Sequence, residues 1–296
     1  MQVAQGCADA CMTRKVWMMA TDSTVHPSKM SREFWRRFPA VWLAILGLML
    51  TCAGVRAQQA AAPAQDDAKG RELLQAMVTA LGGDAWLNLK DSVIHGRTAA
   101  FYLGAPTEQI VPYWQMHRAS GEERMEYTKK RDIIQIIAGG KGVEITYKGR
   151  QYLPQDNVDD VLRRRAHSVE AVARVWMKDP TATVFYMGTD TVGRRQADKI
   201  RIVTAQNDNV TLELDKENHL PLRRIFRWRN TTYKDFDEDE EEYDGYQPVQ
   251  GIQTPFNITR YHNGELTQQR YIVDVRYNVG LPDAMFDAAT VPLPKK

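Results

Sequence analysis

The sequence predicts a mainly β protein: an incomplete antiparallel β-barrel, built as one strongly curved sheet of about 11–12 strands with helices covering its concave side. Three observations support this fold class. Apolar and polar residues alternate with a period of two through most of residues 92–277. The gaps between these runs are short and mostly contain Gly, Pro or Asp, which favours hairpins and antiparallel pairing. Two long segments have helical spacing of apolar residues. A two-sheet sandwich is the alternative, but it offers the longer helix no obvious place.

Residues 1–57 are expected to lie outside the folded domain. Residues 36–57 read RRFPAVWLAILGLMLTCAGVRA, which gives a basic start, an apolar middle and a small residue before a cut. We interpret this segment as a secretory signal cleaved after Ala57, and residues 1–29 as an over-extended start. The apolar run is shorter than the roughly 20 residues that a membrane span needs. We therefore expect a periplasmic protein, with lipidation at Cys52 as the alternative.

Removal of that segment changes the composition. The whole chain has a net charge of +2 and 3 cysteines, all of which precede residue 58. Without residues 1–57 the net charge is −2 and no thiol is left for a disulfide or a metal. A nucleic-acid-binding protein usually has a strongly basic face. The balance of charge therefore argues against a nucleic-acid partner, and we expect a monomer.

The remaining sequence begins with a small-residue linker at 58–65 and continues as a single predicted domain over 66–296. A first helix is predicted at 66–81 from apolar residues at three- and four-residue spacing, with acidic residues at its start and glycines after its end. A second helix is predicted at 158–178, with arginines largely opposite its apolar stripe. Both helices have an apolar face that must be buried against another element.

The strands are assigned from the alternation and the turns between them. Asn263-Gly264 is the strongest hairpin signal, because both residues tolerate positive φ. The predicted strands are 92–103, 109–118, 122–129, 132–138, 142–148, 182–191, 195–204, 208–215, 220–229, 240–248, 254–262 and 266–277.

An acidic stretch at residues 235–244 runs into the predicted strand 240–248. Its start, DFDED at 235–239, matches the first positions of a calcium loop, but the required Gly is Glu240 and the chelating Glu is Tyr246. We therefore expect no calcium site. The stretch is better interpreted as a hairpin rim or an edge strand that like charges keep soluble.

No catalytic, cofactor or metal motif is present in the sequence. The histidines after residue 57 are isolated, and there is no GxSxG, GxxxxGK[ST] or GxGxxG in the required context. We predict no catalytic residue, no cofactor and no metal, although folding can bring distant residues together. An envelope enzyme remains the least favoured of three functions.

Large apolar residues at alternating strand positions indicate a packed core or an apolar cavity. The candidate cavity residues are Trp114, Met116, Met125, Tyr127, Phe226, Trp228 and Phe256.

Three segments carry a resemblance to a known family. They are AMVTALGGDAWLNLKDSV at 76–93, KIRIVTAQNDNVTLELDKENHLPLRRI at 199–225 and YDGYQPVQGIQTPFNITRY at 243–261. Together with the secretory signal and the order of elements, they resemble the periplasmic lipoprotein carriers of the LolA/LolB-like superfamily, over about residues 66–287. Gly245-Tyr246 stands where Asp-Tyr is usual in the family's pattern.

The resemblance implies an incomplete barrel that encloses acyl chains and has no catalytic residue. The first functional hypothesis is therefore a carrier of lipids or lipoproteins, with acyl chains and possible envelope proteins as partners. The alternative is a sensing or scaffolding module of the same fold that transports nothing.

Overall fold

One antiparallel sheet of 14 strands organises the part of the chain that the computed structural model describes, which is residues 67–107, 110–230 and 232–296. The predicted signal segment, its cleavage site and the linker lie outside the described residues. The strands are β1 (Asp91–Tyr102), β2 (Ala105–Pro106), β3 (Val111–Arg118), β4 (Glu123–Tyr127), β5 (Ile133–Ala138), β6 (Lys141–Thr146), β7 (Gly149–Tyr152), β8 (Thr183–Val192), β9 (Arg195–Val203), β10 (Asn209–Asp215), β11 (Pro221–Arg229), β12 (Phe236–Val249), β13 (Ile252–His262) and β14 (Glu265–Tyr277).

The helices are α1 (Ala68–Leu81), α2 (Asp84–Leu87), α3 (Gln155–Ala166) and α4 (Val169–Arg174). Two 3-10 turns, Trp176–Lys178 and Asp283–Met285, complete the elements of the described residues.

The strand order is β7-β6-β5-β4-β3-β1-β14-β13-β12-β11-β10-β9-β8, with β2 paired only to β1. The ends of this order, β7 and β8, do not pair with each other, so the sheet is an open barrel. Helices α3 and α4 connect these two edge strands along the chain. The predicted fold class is confirmed. The sequence missed β2 and β7, because strands of 2 and 4 residues are too short to show a period.

The main core lies between α1, α4 and the strands from β8 to β11. Leu74 and Met77 of α1 and Val172 of α4 have no exposed surface, and they share one buried cluster with Ile200 and Leu212 of the sheet. Asp67 caps α1 by accepting hydrogen bonds from the backbone N–H groups of the first turn, at 2.9 and 3.4 Å. We call the face of the sheet that packs against α1 and α4 the inner face.

The predicted long helix at 158–178 is wrong in one respect, because it is broken at His167-Ser168. The Ser168 hydroxyl accepts a hydrogen bond of 3.1 Å from the backbone N–H of Ala171 and thereby caps α4. The break lets the two halves pack separately. Helix α4 buries its apolar residues in the main core, whereas Val158 is the buried residue of α3.

The C-terminal segment, residues 279–296, covers the outer face of β3 to β6. Val291 joins a small cluster with Ile134, Ile136 and Ile145. Arg150 Nε donates to the carbonyl of Ala288 at 2.7 Å. These contacts bury part of the outer face of the sheet, on the side opposite to the inner face.

Candidate ligand-binding site

Charged and aromatic side chains form rows across the inner face of β11 to β14. Directly paired residues of neighbouring antiparallel strands point to the same side of a sheet. The register therefore places Arg224, Glu241 and Arg260 in one inner row. Tyr243, Ile258 and Arg270 form the next one.

The acidic stretch supplies the carboxylates of these rows. Glu241 accepts hydrogen bonds from Arg260 Nε at 3.1 Å and Nη2 at 2.8 Å, and its other oxygen lies 3.0 Å from Arg224 Nη2. Burial alone would raise the pKa of Glu241, but Arg224 and Arg260 lower that pKa well below its usual range. Burial is also the main effect on Asp239, and it raises the pKa of that carboxyl.

The interpretation of the acidic stretch as an edge strand is therefore wrong, and its start at Asp235 is the only part that lies in the turn between β11 and β12, where it is exposed. Strand β12 lies inside the sheet between β11 and β13, and the edges are β7 and β8. The stretch alternates: Asp239 and Glu241 face inward, whereas Glu240 faces outward, where its carboxylate lies 3.4 Å from Arg223. Among the described residues, no group of three or more His, Cys, Asp or Glu is placed to hold a metal ion.

Helix α3 crosses the inner face opposite these rows. At its start, Val158 packs on Gly142 of β6 so closely that a Cβ added there would come within 2.7 Å of a Val158 methyl. At its end, Arg165 reaches Glu123 of β4 at 2.9 Å, and the Arg163 guanidinium lies 4.7 Å from the centre of the Trp228 ring on β11. The helix thus spans the inner side from one half of the sheet to the other.

Between α3 and the sheet lies a stripe of apolar side chains that belongs to neither buried cluster. Each of them is half-buried, whereas the residues of the main core are almost fully buried. The stripe consists of Met125, Tyr127, Ile133, Phe256 and Ile258. Desolvation raises the pKa of Tyr127 to about 12, although its ring is only half-buried. The stripe is therefore screened from bulk water without being sealed.

The seven residues predicted to line a cavity do not lie together. Met125, Tyr127 and Phe256 belong to the inner stripe, as defined above. Phe226 is part of the main core with 1% exposure, and Trp228 packs against that core.

Trp114 and Met116 point to the outer face, because their direct partners on β4 are Glu126 and Arg124 rather than Met125 and Tyr127. Trp114 stacks there on His95 with ring centres 4.6 Å apart. The predicted set is thus divided between two faces and the core.

Sequence reasoning missed the arginines of the inner side, Arg164, Arg224, Arg260 and Arg270. A signal for one of them was present in the strand 254–262, where Arg260 shares its parity with Phe256 and Ile258. A charged residue at an inward position of an otherwise apolar row indicates a buried pair or a ligand.

An open surface pocket of about 560 Å³ lies elsewhere, between the start of β9 and the part of β12 around Gly245. Its charged lining residues already pair with others, since Arg195 lies 3.4 Å from Asp215 and also contacts Asp244. This pocket does not have the apolar lining expected of an acyl-chain site.

No protein-family model matches the chain, and no curated protein sequence matches it. In the described part of the chain, no helix has both the length and the apolar character to cross a bilayer.

Solved structures do match. A DUF1329 family protein from Desulfovibrio piger ATCC 29098 superposes with a TM-score of 0.50 and 14% identity, over 77% of this chain and 100% of its own. A domain assigned to outer-membrane lipoprotein sorting, from Vibrio parahaemolyticus, gives a TM-score of 0.47 and 10% identity over 74% and 96%. A LolA superfamily protein from Nitrosomonas europaea gives 0.46 and 11% over 75% and 99%. At 14% identity, the match to the DUF1329 family protein shows a shared fold and nothing beyond the fold.

Proposed function

We propose that this protein binds an acyl-chain amphiphile, a lipid or a lipoprotein, on the inner side of its open barrel and carries it through the cell envelope. The observation that most strongly supports the proposal is the apolar stripe between α3 and the sheet, which belongs to neither of the two buried clusters. Its residues Met125, Tyr127 and Ile258 are half-buried, as side chains that line a ligand site are.

The energetics favour such a use of the stripe. Exposing an acyl chain to water costs roughly 0.8 kcal/mol for each CH₂ group. A carrier must therefore cover the chain with apolar surface that its own core does not use. The open order of the sheet, with α3 and α4 between its edge strands, provides a side at which a long chain could enter.

The proposal is tested by titrating the full-length protein with a fluorescent long-chain fatty acid. Saturable binding at one site, displaced by unlabelled fatty acid, is expected. Native mass spectrometry of protein purified from a bacterial envelope should show the mass of the bound lipid. A folded protein that binds no fatty acid and carries no lipid would contradict the proposal.

A second candidate is the sensing or scaffolding module, which a different observation favours. Large apolar residues are exposed at one end of the sheet: Tyr102 at 70% and Leu103 at 68% at the end of β1, and Tyr233 at 77% before β12. Exposed apolar side chains that cluster mark sites of protein or membrane contact. A protein that captures an envelope partner through these residues but binds no lipid would favour this second function.

A further inference from the structure

Two arginines face the inner side of the barrel without a hydrogen bond or ion pair to a carboxylate among the described residues. Arg270 of β14 donates to the Tyr113 hydroxyl at 3.2 Å and to Gln115 Oε1 at 2.6 Å, both of which are neutral. Arg164 of α3 has no hydrogen bond or ion pair from its side chain to any residue in the described ranges. Both side chains are half-buried.

The neighbours of Arg164 place it over the charged row of the sheet. The charges that act most strongly on its guanidinium are those of Arg260, Asp239 and Glu241. Burial lowers the pKa of Arg164, and the like charge of Arg260 acts in the same direction. A desolvated guanidinium beside another cation is destabilising unless an anion joins them.

The acids of the inner side are already occupied. Glu241 is shared by Arg224 and Arg260, and Glu123 is paired with Arg165. Asp160 also acts on Arg164 but is itself paired with Arg163 at 2.5 Å. The six arginines of this region, Arg163, Arg164, Arg165, Arg224, Arg260 and Arg270, therefore exceed the four carboxylates Asp160, Asp239, Glu241 and Glu123. The surplus positive charge lies beside the apolar stripe, since Tyr127 of that stripe is influenced by both Arg270 and Arg260.

We propose that Arg164 and Arg270 bind the anionic group, carboxylate or phosphate, of an amphiphile whose chain lies on the apolar stripe. This inference rests on the proposed function and adds the chemistry of the head group to it. Arg164 would hold the anion from the helix, and Arg270 would hold it from the sheet. Guanidinium groups suit this task because their planar donors match both carboxylate and phosphate oxygens.

The test compares matched ligands on the full-length protein. Palmitate and hexadecanol share a chain but differ in charge, as do lysophosphatidic acid and monoacylglycerol. We expect the anionic member of each pair to bind at least about tenfold more tightly than the neutral member, because the neutral ligand cannot form charge-assisted hydrogen bonds with the arginines. Arg164→Gln should abolish this preference, Arg164→Lys should restore part of it, and Arg201→Gln, on the outer face, should leave it unchanged.

A thermal melt separates binding from structure. Because Arg164 has no partner in the described residues, Arg164→Gln should leave the Tm of the ligand-free protein unchanged or raise it. A lowered Tm together with an unchanged preference would overturn the inference.

The remaining outcomes distinguish the two proposals. Equal affinity for charged and neutral amphiphiles would overturn the anion site and leave the carrier function standing. Binding of inorganic phosphate alone, with no amphiphile bound, would keep the anion site and contradict the carrier function. Failure to bind any of these ligands would overturn both.

Discussion

Arg224 and Glu241 lie directly opposite each other on β11 and β12, with Nη2 and Oε2 3.0 Å apart and only 1% of the Arg224 side chain exposed. Glu241 also binds Arg260 on the next strand, so one carboxylate holds two cations in a row across three strands. Removing one partner of a buried pair is costly, because the charge that is left has lost both water and its counter-ion.

We therefore predict that Glu241→Gln lowers the free energy of unfolding by about 3 kcal/mol or more. The matched control is Glu242→Gln, one residue along the same strand. The Glu242 side chain is 35% exposed and faces outward, so its loss should change stability by about 0.5 kcal/mol or less. Urea titrations of both variants provide the measurement. An equal loss of unfolding free energy in the two variants would show that the inner row stabilises the fold no more than an exposed carboxylate does.

The same pair predicts a pH dependence. The pKa of Glu241 in the folded protein is below its ordinary value of 4.5, so between these two pKa values the unfolded chain binds the proton more readily than the folded chain. The contribution of Glu241 is therefore fully present above about pH 5.5 and is lost as the pH falls below 4.5. The raised pKa of Asp239 acts in the opposite direction. Burial is its main cause and the charge of Glu241 adds to it, so the difference between wild type and Glu241→Gln is the net of both effects.

Urea unfolding of both proteins from pH 7 to pH 3 tests this prediction. The difference between wild type and Glu241→Gln should shrink toward the acidic end. A difference that stays constant over the whole range would mean that the charge of Glu241 does not stabilise the fold.

The cap of α4 provides a third prediction. Ser168→Ala removes the acceptor for the Ala171 N–H and should cost about 1 kcal/mol. Ser168→Asp retains an acceptor and should retain most of the stability. Thermal melts of the two variants measure the effect, and an alanine variant as stable as wild type would show that the helix break does not depend on this cap.

Gly96 is constrained by its neighbours, which gives a fourth prediction. A Cβ at this position would lie 2.5 Å from the Tyr271 carbonyl oxygen and 2.9 Å from the Tyr113 ring, where the register of β1 and β14 shifts. Gly96→Ala should cost about 1–3 kcal/mol, because a backbone atom cannot move aside easily. Gly70→Ala is the comparison, since its nearest neighbour is a Val184 methyl at 2.7 Å rather than a backbone atom, and alanine has a higher propensity than glycine for the helix in which Gly70 lies. A smaller loss for Gly96→Ala than for Gly70→Ala would contradict this explanation.

The sequence predicted the architecture because local signals determine it. The Asn263-Gly264 turn is present between β13 and β14, with φ of 51° and 78°, as the dipeptide indicated. The candidate site was harder to predict. A period of two shows which residues of one strand share a face, but it does not show which residue of the next strand lies opposite them. Trp114 and Met125 were therefore placed in one cavity, whereas the register pairs Trp114 with Glu126.

The acidic stretch shows the same limit. Its like charges suggest a solvated edge when the stretch is considered alone. The arginines that neutralise it come from β11 and β13, and the register that aligns them with β12 is a property of the folded sheet. The turn at His167-Ser168 was missed for a related reason, since the apolar stripe continues across the break while the two halves pack on different strands.

The final prediction separates the apolar stripe from the core. Ile258→Asp places a carboxylate in the middle of the stripe, where an acyl chain would lie, and a charge in an apolar site is poorly solvated. We expect this variant to lose at least about tenfold in affinity for a fluorescent fatty acid. Because Ile258 is half-buried and outside both clusters, the variant should still fold.

Phe226→Asp is the contrasting change, since Phe226 is 1% exposed and stacks on His167 with ring centres 4.5 Å apart. A carboxylate there would lie in a filled core and should unfold the protein, so its loss of binding would carry no information about the site. Val273→Asp, at a position that is 56% exposed, controls for the added charge and should change neither the melt nor the affinity. If Ile258→Asp folds and binds fatty acid as tightly as wild type, the ligand does not lie on the stripe, because no acyl chain could pack against a carboxylate there without a measurable loss.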